Sequence, residues 1–511
     1  MFEAYFFDKR ATTNYRVFRL LKALQDSNFT INRLAQDSGL SYSQTYNAFQ
    51  DIMLELQLMS DRPVADVNET DFKALGGQVS VDMYRFHLLQ ESLPFRFFDY
   101  LFTAGTPDVH TFCTAAGVAI PTLRRRIAPF KAYVTGVGLH LNGVTWAIEG
   151  EELQIRMLML TFYQLAFRGV GWPFSEPAFR RAKHQIDLIN QADPLWFEPE
   201  ALYTKQDLLI LAVQQLRIDH GHALTPDRRW NKLAKASNLP LKSLIYTRDH
   251  FPSLTPRKCT AERDFYYFCR IHYLSFGTRV TPRQAWVMRD FDRPGLAINQ
   301  FADGLLDALI DAADPLTPES MAAAHDVLRV NLHRMAVSYY VLHGNFAKRI
   351  DFLDRNPAEA ESGTLPHLIH DYFDQIDATG PLAAFARHWP HMHRELYRVI
   401  APDFPALNAD HLVKVAMFVD GGTFVARDLR LFLEGIQFVH LLPTDPSQVP
   451  DLIISTLSDT TLITSFYGAA NLTHTGIIPW ATEADDNDFY HLMTLLRRAR
   501  QGAPTDALAA W

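Results

Sequence analysis

Two clusters near the N-terminus have the residue types and spacing to grip a polyanion. Tyr42, Ser43, Gln44 and Asn47 lie close together, with Gln50 just beyond. Such hydroxyls and amides pair with base edges and phosphates. Further along, Thr122 precedes Arg124-Arg125-Arg126, with Lys131 a turn or so later. Guanidinium forks suit phosphate oxygens and the guanine edge. An arginine run taken alone is a solvated face, so the surrounding elements decide its meaning.

Histidine supplies the other candidate chemistry. His220 and His222 stand in Asp219-His-Gly-His, His272 follows Arg270, and His333 lies between Arg329 at i−4 and Arg334. A histidine that accepts phosphate must be exposed and near cations that balance the phosphoryl charge. His388, His391 and His393 are spaced closely enough for zinc or nickel. No nearby cysteine or carboxylate completes that set, and Pro390 is expected to break the helix that would orient it. The chain has no Gly-rich nucleotide fingerprint and no constellation of nucleophile, base and oxyanion donor. No catalytic residue, metal ligand or cofactor is therefore assigned.

The first cluster needs a helix–turn–helix to present it. Apolar periodicity over Asn14–Gln25 predicts one helix, Thr30 caps a second over Ile31–Asp37, and Ser41 caps a third running to about Leu58. Gly39, four residues after Ala35, suits a sharp left-handed turn, and Leu34, Leu40, Thr45 and Ala48 supply the shared core. The alternative is a helical hairpin whose polar face meets solvent. Gly76-Gly-Gln-Val-Ser-Val-Asp82 alternates like a strand and is read as a wing. The second cluster repeats the plan: a helix over Thr111–Ala116, a turn at Gly117, and a helix over Pro121–Phe130 with Leu123 and Ile127 inward. Asn142-Gly143 between alternating runs predicts a hairpin, and so a winged helix.

Residues 174–402 read as helices throughout, enough for two bundles. From Leu412 strands alternate with helices: Val413–Val419, then Asp420-Gly-Gly, a helix from about Thr423, strands near 435–442, 451–456 and 476–479, and a helix over Asp486–Arg500. That order implies a parallel sheet. The expected fold is mainly α, with tandem helix–turn–helix units, two helical bundles and a small C-terminal α/β domain. The boundaries are 1–104, 105–172, 173–290, 291–404 and 405–511.

The chain has 511 residues, 48% hydrophobic and 21% charged, a globular composition that excludes wholesale disorder. Its net charge of −8 argues against attraction of the whole molecule to nucleic acid or an acidic membrane. A local basic reader on an acidic body remains open. No apolar stretch is long enough to span a bilayer, no leader pattern opens the chain, and three cysteines make no disulfide framework. These features predict a cytoplasmic protein.

The two helix–turn–helix patterns, the hairpin after the second, and Gly150-Glu-Glu-Leu-Gln-Ile-Arg156 opening an apolar helix together resemble the Mga/AtxA-type transcriptional regulators. The resemblance implies two DNA-binding heads, two phosphotransferase regulation domains and an end domain similar to enzyme IIB of sugar transporters. It further implies double-stranded DNA and a phosphotransferase-system phosphocarrier protein as partners, and a homodimer or higher oligomer. His220 or His222 and His272 would belong to the first regulation domain and His333 to the second. Enzyme IIB carries a cysteine after its first strand. Here Asp420-Gly421-Gly422 stands there, and no cysteine follows Cys269. Two alternatives stay open: a metal-dependent enzyme using the histidine cluster, and a DNA-binding regulator whose helical domains are unphosphorylated scaffold.

Overall fold

Side-chain caps and left-handed glycines set the ends of the first helices. The structure, a computed structural model, describes residues 1–24, 29–60, 72, 76–192, 201–227, 246–247, 249–272, 280–281, 284–285, 288–289, 296–312, 318–352, 364–404, 412–419, 424–436, 438–457, 460–481 and 484–500. Asp8 caps α1 (Lys9–Ala23) by accepting from Ala11 N. Thr30 caps α2 (Ile31–Ser38), which ends at Gly39 with φ +66°. Helix α3 (Tyr42–Ser60) follows. Leu34 and Thr45 are fully buried, and Val17, Phe18, Leu21, Ile52 and Leu56 complete this core. The expected strand at residues 76–82 is not formed. Ser80 instead caps α4 (Val81–Glu91) through Met83 N, and α5 (Leu93–Thr103) follows. A short alternating run is ambiguous by period alone, and a Ser cap with Asp in the first turn favours helix.

Helices α6 (Val109–Ala116) and α7 (Ile120–Gly136) repeat the geometry of α2 and α3, with Gly117 again at φ +66°. Helix α7 runs through Pro129 and so extends beyond the predicted Phe130. Strands β1 (His140–Leu141) and β2 (Ile148–Glu149) pair antiparallel, and α8 (Glu152–Phe167) leaves them. The predicted two-residue turn is a longer loop. The Asn142 side chain accepts from Val144 N and Thr145 N at 2.8 and 3.0 Å, an Asx turn that moves the reversal past Gly143.

The later helices are α9 (Glu176–Ala192), α10 (Ala201–Asp219), α11 (Pro256–His272), α12 (Ala297–Asp311), α13 (Pro318–Leu342), α14 (Thr364–Asp374) and α15 (Ala383–Ile400). Helix α15 passes through Pro390 unbroken, contrary to expectation. Buried Phe385, Met392 and Leu396, with Trp389 packed 4.4 Å from the Phe373 ring, hold it to α14.

At the C-terminus β3 (Val413–Phe418), α16 (Phe424–Glu434), β4 (Val439–Leu441), β5 (Leu452–Ser455), α17 (Thr461–Tyr467), β6 (Gly476–Pro479) and α18 (Asp486–Arg500) form the expected parallel sheet, in the order β4-β3-β5-β6. Side chains alternate between its faces. Val415, Leu452 and Ile454 meet α16 and α18, whereas Ala416 and Ile453 meet α17. Asp420-Gly421-Gly422 lies outside the described residues.

The chain divides into two compact units. One contains Met1–Tyr273, Ala285–Asp292 and Val337–Asn356; the other contains Leu274–Gln284, Arg293–Ala336 and Pro357–Trp511. Within the first, an aromatic core joins the N-terminus to α5, α7 and α8. Phe6 and Phe98 lie 4.8 and 4.6 Å from Phe130, and Phe95 stacks on Phe162 at 5.0 Å.

Candidate nucleic-acid interface

The α3 face is built by its cap. Ser41 Oγ accepts from Gln44 N at 3.3 Å, and Gln44 Oε1 accepts from Ser41 N at 3.1 Å, a reciprocal capping box. Gln44 Oε1 also accepts from Ser41 Oγ at 3.0 Å. Gln44 is exposed, with its carbonyl oxygen engaged by the helix cap. Tyr42, Ser43, Tyr46 and Asn47 are exposed, and Gln50 is half-buried. The rings of Tyr42 and Tyr46 stack at 7° with centroids 6.3 Å apart.

The α7 arginines are all exposed but not equivalent. Arg124 lies over the Trp146 ring at 5.3 Å, which ties the helix to the hairpin loop. Trp146 is itself buried, edge-on to Phe97, with φ +58°. Arg126 faces Asp8 at 3.6 Å. Arg125 has no ion pair among the described residues, and Thr122 is half-buried. The loop tip presents Val144, 87% exposed. The first turn of α1 touches both long helices, because Asp8 meets Arg126 while Arg10 donates to Asp51 of α3 at 2.7 Å.

Two buried arginines, Arg85 and Arg156, tie α8 to its neighbours, and neither was assigned a role from sequence. Arg85 donates to the Leu165 and Ala166 carbonyls at the end of α8 and to Glu3. Cations suit a helix C-terminus, and a lone arginine in the apolar α4 was the available signal. Arg156 donates to both oxygens of Glu262 on α11, to Glu152, and to the His222 carbonyl at 2.9 Å. Burial pulls its pKa down, and Glu262 and Glu152 more than offset that. Arg217 grips Glu152 with two bonds, 2.9 and 2.6 Å.

The histidines separate by environment. His222 is exposed on the loop after α10, beyond Gly221 at φ +83°, and His220 is half-buried. Burial and then Arg217 hold both below the usual imidazole pKa. His272 is half-buried, with Nδ1 on Ser338 Oγ and its ring stacked on Phe268. His333 is buried, with Nδ1 2.8 Å from the Arg329 carbonyl. That is at odds with the exposure a phosphoacceptor needs. His388, His391 and His393 share α15, and no group of three His, Cys, Asp or Glu among the described residues is placed to hold a metal.

No helix among the described residues is long and apolar enough to cross a membrane. No curated protein matches the chain. Residues 77–163, which run from the start of α4 through α7 and the hairpin into α8, match the family model of the Mga helix-turn-helix domain, so this part of the chain is similar to a DNA-binding regulator head.

Proposed function

We propose that the protein is a Mga-type, DNA-binding transcription regulator with two heads, α2–α3 and α6–α7, rather than an enzyme. The observation that carries this reading is the α6–α7–hairpin unit, which presents Arg125 exposed and without an ion pair among the described residues, inside the segment similar to the Mga helix-turn-helix domain. In such a unit the second helix enters the major groove, and the hairpin reaches along the duplex as a wing. The shared left-handed glycine, φ +66° after α2 and after α6, supports the paired-head reading. Tyr42, Ser43, Gln44, Asn47, Thr122 and Arg124–Arg126 form the proposed DNA surface.

The regulatory half of the proposal comes from the resemblance. Residues 173–290 and 291–404 are phosphotransferase regulation domains, served by a histidine phosphocarrier protein. The α/β domain from residue 405 is an enzyme IIB-like module for assembly as a homodimer or higher oligomer, in the cytoplasm. Among the four histidines, exposure and the nearby Arg217 favour His222. Phosphate there would add charge beside the loop that Arg156 holds.

The test is a salt titration of binding to random DNA and to the chain's own upstream DNA, for wild type and Arg125→Ala. The variant's salt slope becomes shallower by about one unit, as expected for one lost phosphate contact. Absence of wild-type binding at low salt refutes the reading.

A further inference from the structure

The two reading helices differ in charge. Helix α3 contains no lysine or arginine, and its acidic residues Asp51 and Glu55 face Arg10 of α1. Helix α7 carries Arg124–Arg126 and Lys131. Where α7 has cations, α3 has an aromatic pair: Tyr42 and Tyr46 are 55% and 44% exposed. Neither phenol has a hydrogen-bond partner among the described residues. Spaced four apart, the two rings share one helix face, and Ser43 and Asn47 border it one step round the helix.

A helix without cations releases few counterions, so its contribution to DNA affinity comes from base contacts. The apolar group that the major groove offers such a surface is the thymine C5-methyl. We propose that Tyr42 and Tyr46 form a thymine-reading step, packing on the methyl groups of neighbouring thymines, with Ser43 and Asn47 hydrogen-bonding adjacent base edges. This rests on the DNA-binding reading above. The heads then divide the work: α7 supplies salt-dependent grip on phosphates, and α3 supplies salt-independent selection of sequence. The start of α1 meets α7 through Asp8–Arg126 and α3 through Arg10–Asp51.

The experiment uses the full chain and a duplex selected by it from a randomised pool. The same duplex is also made with deoxyuridine for every thymidine, which removes the methyl groups and leaves the hydrogen-bonding edges intact. Wild type binds the uracil duplex about tenfold more weakly, the effect of two buried methyls lost. Tyr42→Ala/Tyr46→Ala binds both duplexes alike, near the uracil value, with an unchanged salt slope. Tyr42→Phe/Tyr46→Phe keeps the preference, since the rings and not the hydroxyls make the contact. Both pairs are exposed, and an unfolding temperature near wild type verifies that they fold. Equal wild-type affinity for the two duplexes overturns this proposal and leaves the DNA reading standing. So does an alanine pair that keeps the preference, in which case the aromatic face serves a protein partner. No binding to either duplex at low salt overturns both.

Discussion

Arg156→Ala removes the centre of a buried charge network, and the structure sets both the size and the order of the effects. The Arg156 and Glu262 side chains are each 0% exposed. Deleting one partner of such a pair costs about 3–5 kcal/mol, because the other charge stays buried. Without Arg156, Glu262 keeps two neutral donors among the described residues, Gln214 Nε2 and Leu224 N, both at 2.8 Å. Glu152 loses less, since Arg217 still holds it. Glu262→Gln is milder: Arg156 keeps Glu152 and the His222 carbonyl, and the new amide fills the same space. Arg156→Ala should therefore lower the unfolding transition of the unit that contains it by on the order of 10 °C, and Glu262→Gln by clearly less. Arg156→Met/Glu262→Met should be less damaging than the sum of its single changes, since it buries no lone charge. Calorimetry gives the transitions, and hydrogen exchange at His222–Leu224 reports release of the loop. A shift under about 2 °C for Arg156→Ala would refute the reasoning, as would Glu262→Gln proving the more harmful change.

Three further outcomes follow from the geometry. Arg85→Met strips donors from the Leu165 and Ala166 carbonyls and should cost about 2–3 kcal/mol in a urea titration; a loss within error would mean water replaces the guanidinium. Gly117→Ala meets no atom within 4 Å, so its cost is the left-handed backbone alone, about 1–2 kcal/mol; a neutral result would show that φ +66° is not kept in solution. Burial, followed by nearby cations, holds His220, His222, His388 and His440 below the usual imidazole pKa. The unfolded chain then takes up protons first as pH falls below about 6.5. Stability should decline there and level off only below the folded values. Urea midpoints between about pH 7.5 and 5.5 check this sign, with His388→Gln expected to flatten the slope.

What the sequence carried plainly was local chemistry. Gly39 and Gly117 were readable because few residues other than glycine suit a left-handed reversal, and both stand at the predicted turn. The C-terminal strands were readable because apolar runs alternate with helix-period segments. The capping box Ser41-Tyr-Ser-Gln44 was also local and could have shown in advance that Gln44 closes its own helix. Partnerships were not legible. Arg156 meets Glu262 across more than a hundred residues, and Arg124 lies over Trp146 because an Asx turn at Asn142 swings the loop back. Of three adjacent arginines only Arg125 is without an engaged partner among the described residues, and exposure alone could not reveal that.

The least legible partnership bears most directly on the proposed regulation. Residues 337–352, far along the chain, pack against α7 and α8 in the same unit. Asn345 donates to the Gly136 carbonyl at the end of α7 at 2.7 Å, and Tyr133 of α7 donates to Asp351 at 2.7 Å. Gln154 and Thr161 of α8 reach the Leu342 and Ala347 carbonyls. The Tyr133 hydroxyl is pushed well above its usual range by burial and by Asp351, so it remains a donor across the working pH range. Thus the arginine-bearing helix is held at its C-terminal end by a segment that continues directly from α13, the helix that carries His333. On the proposed reading, direct contact of this kind would need no relay of small displacements between residues 337–352 and the DNA-facing helix. Any change that shifts residues 337–352 acts on Gly136 and Tyr133 themselves, on the same helix as Arg125.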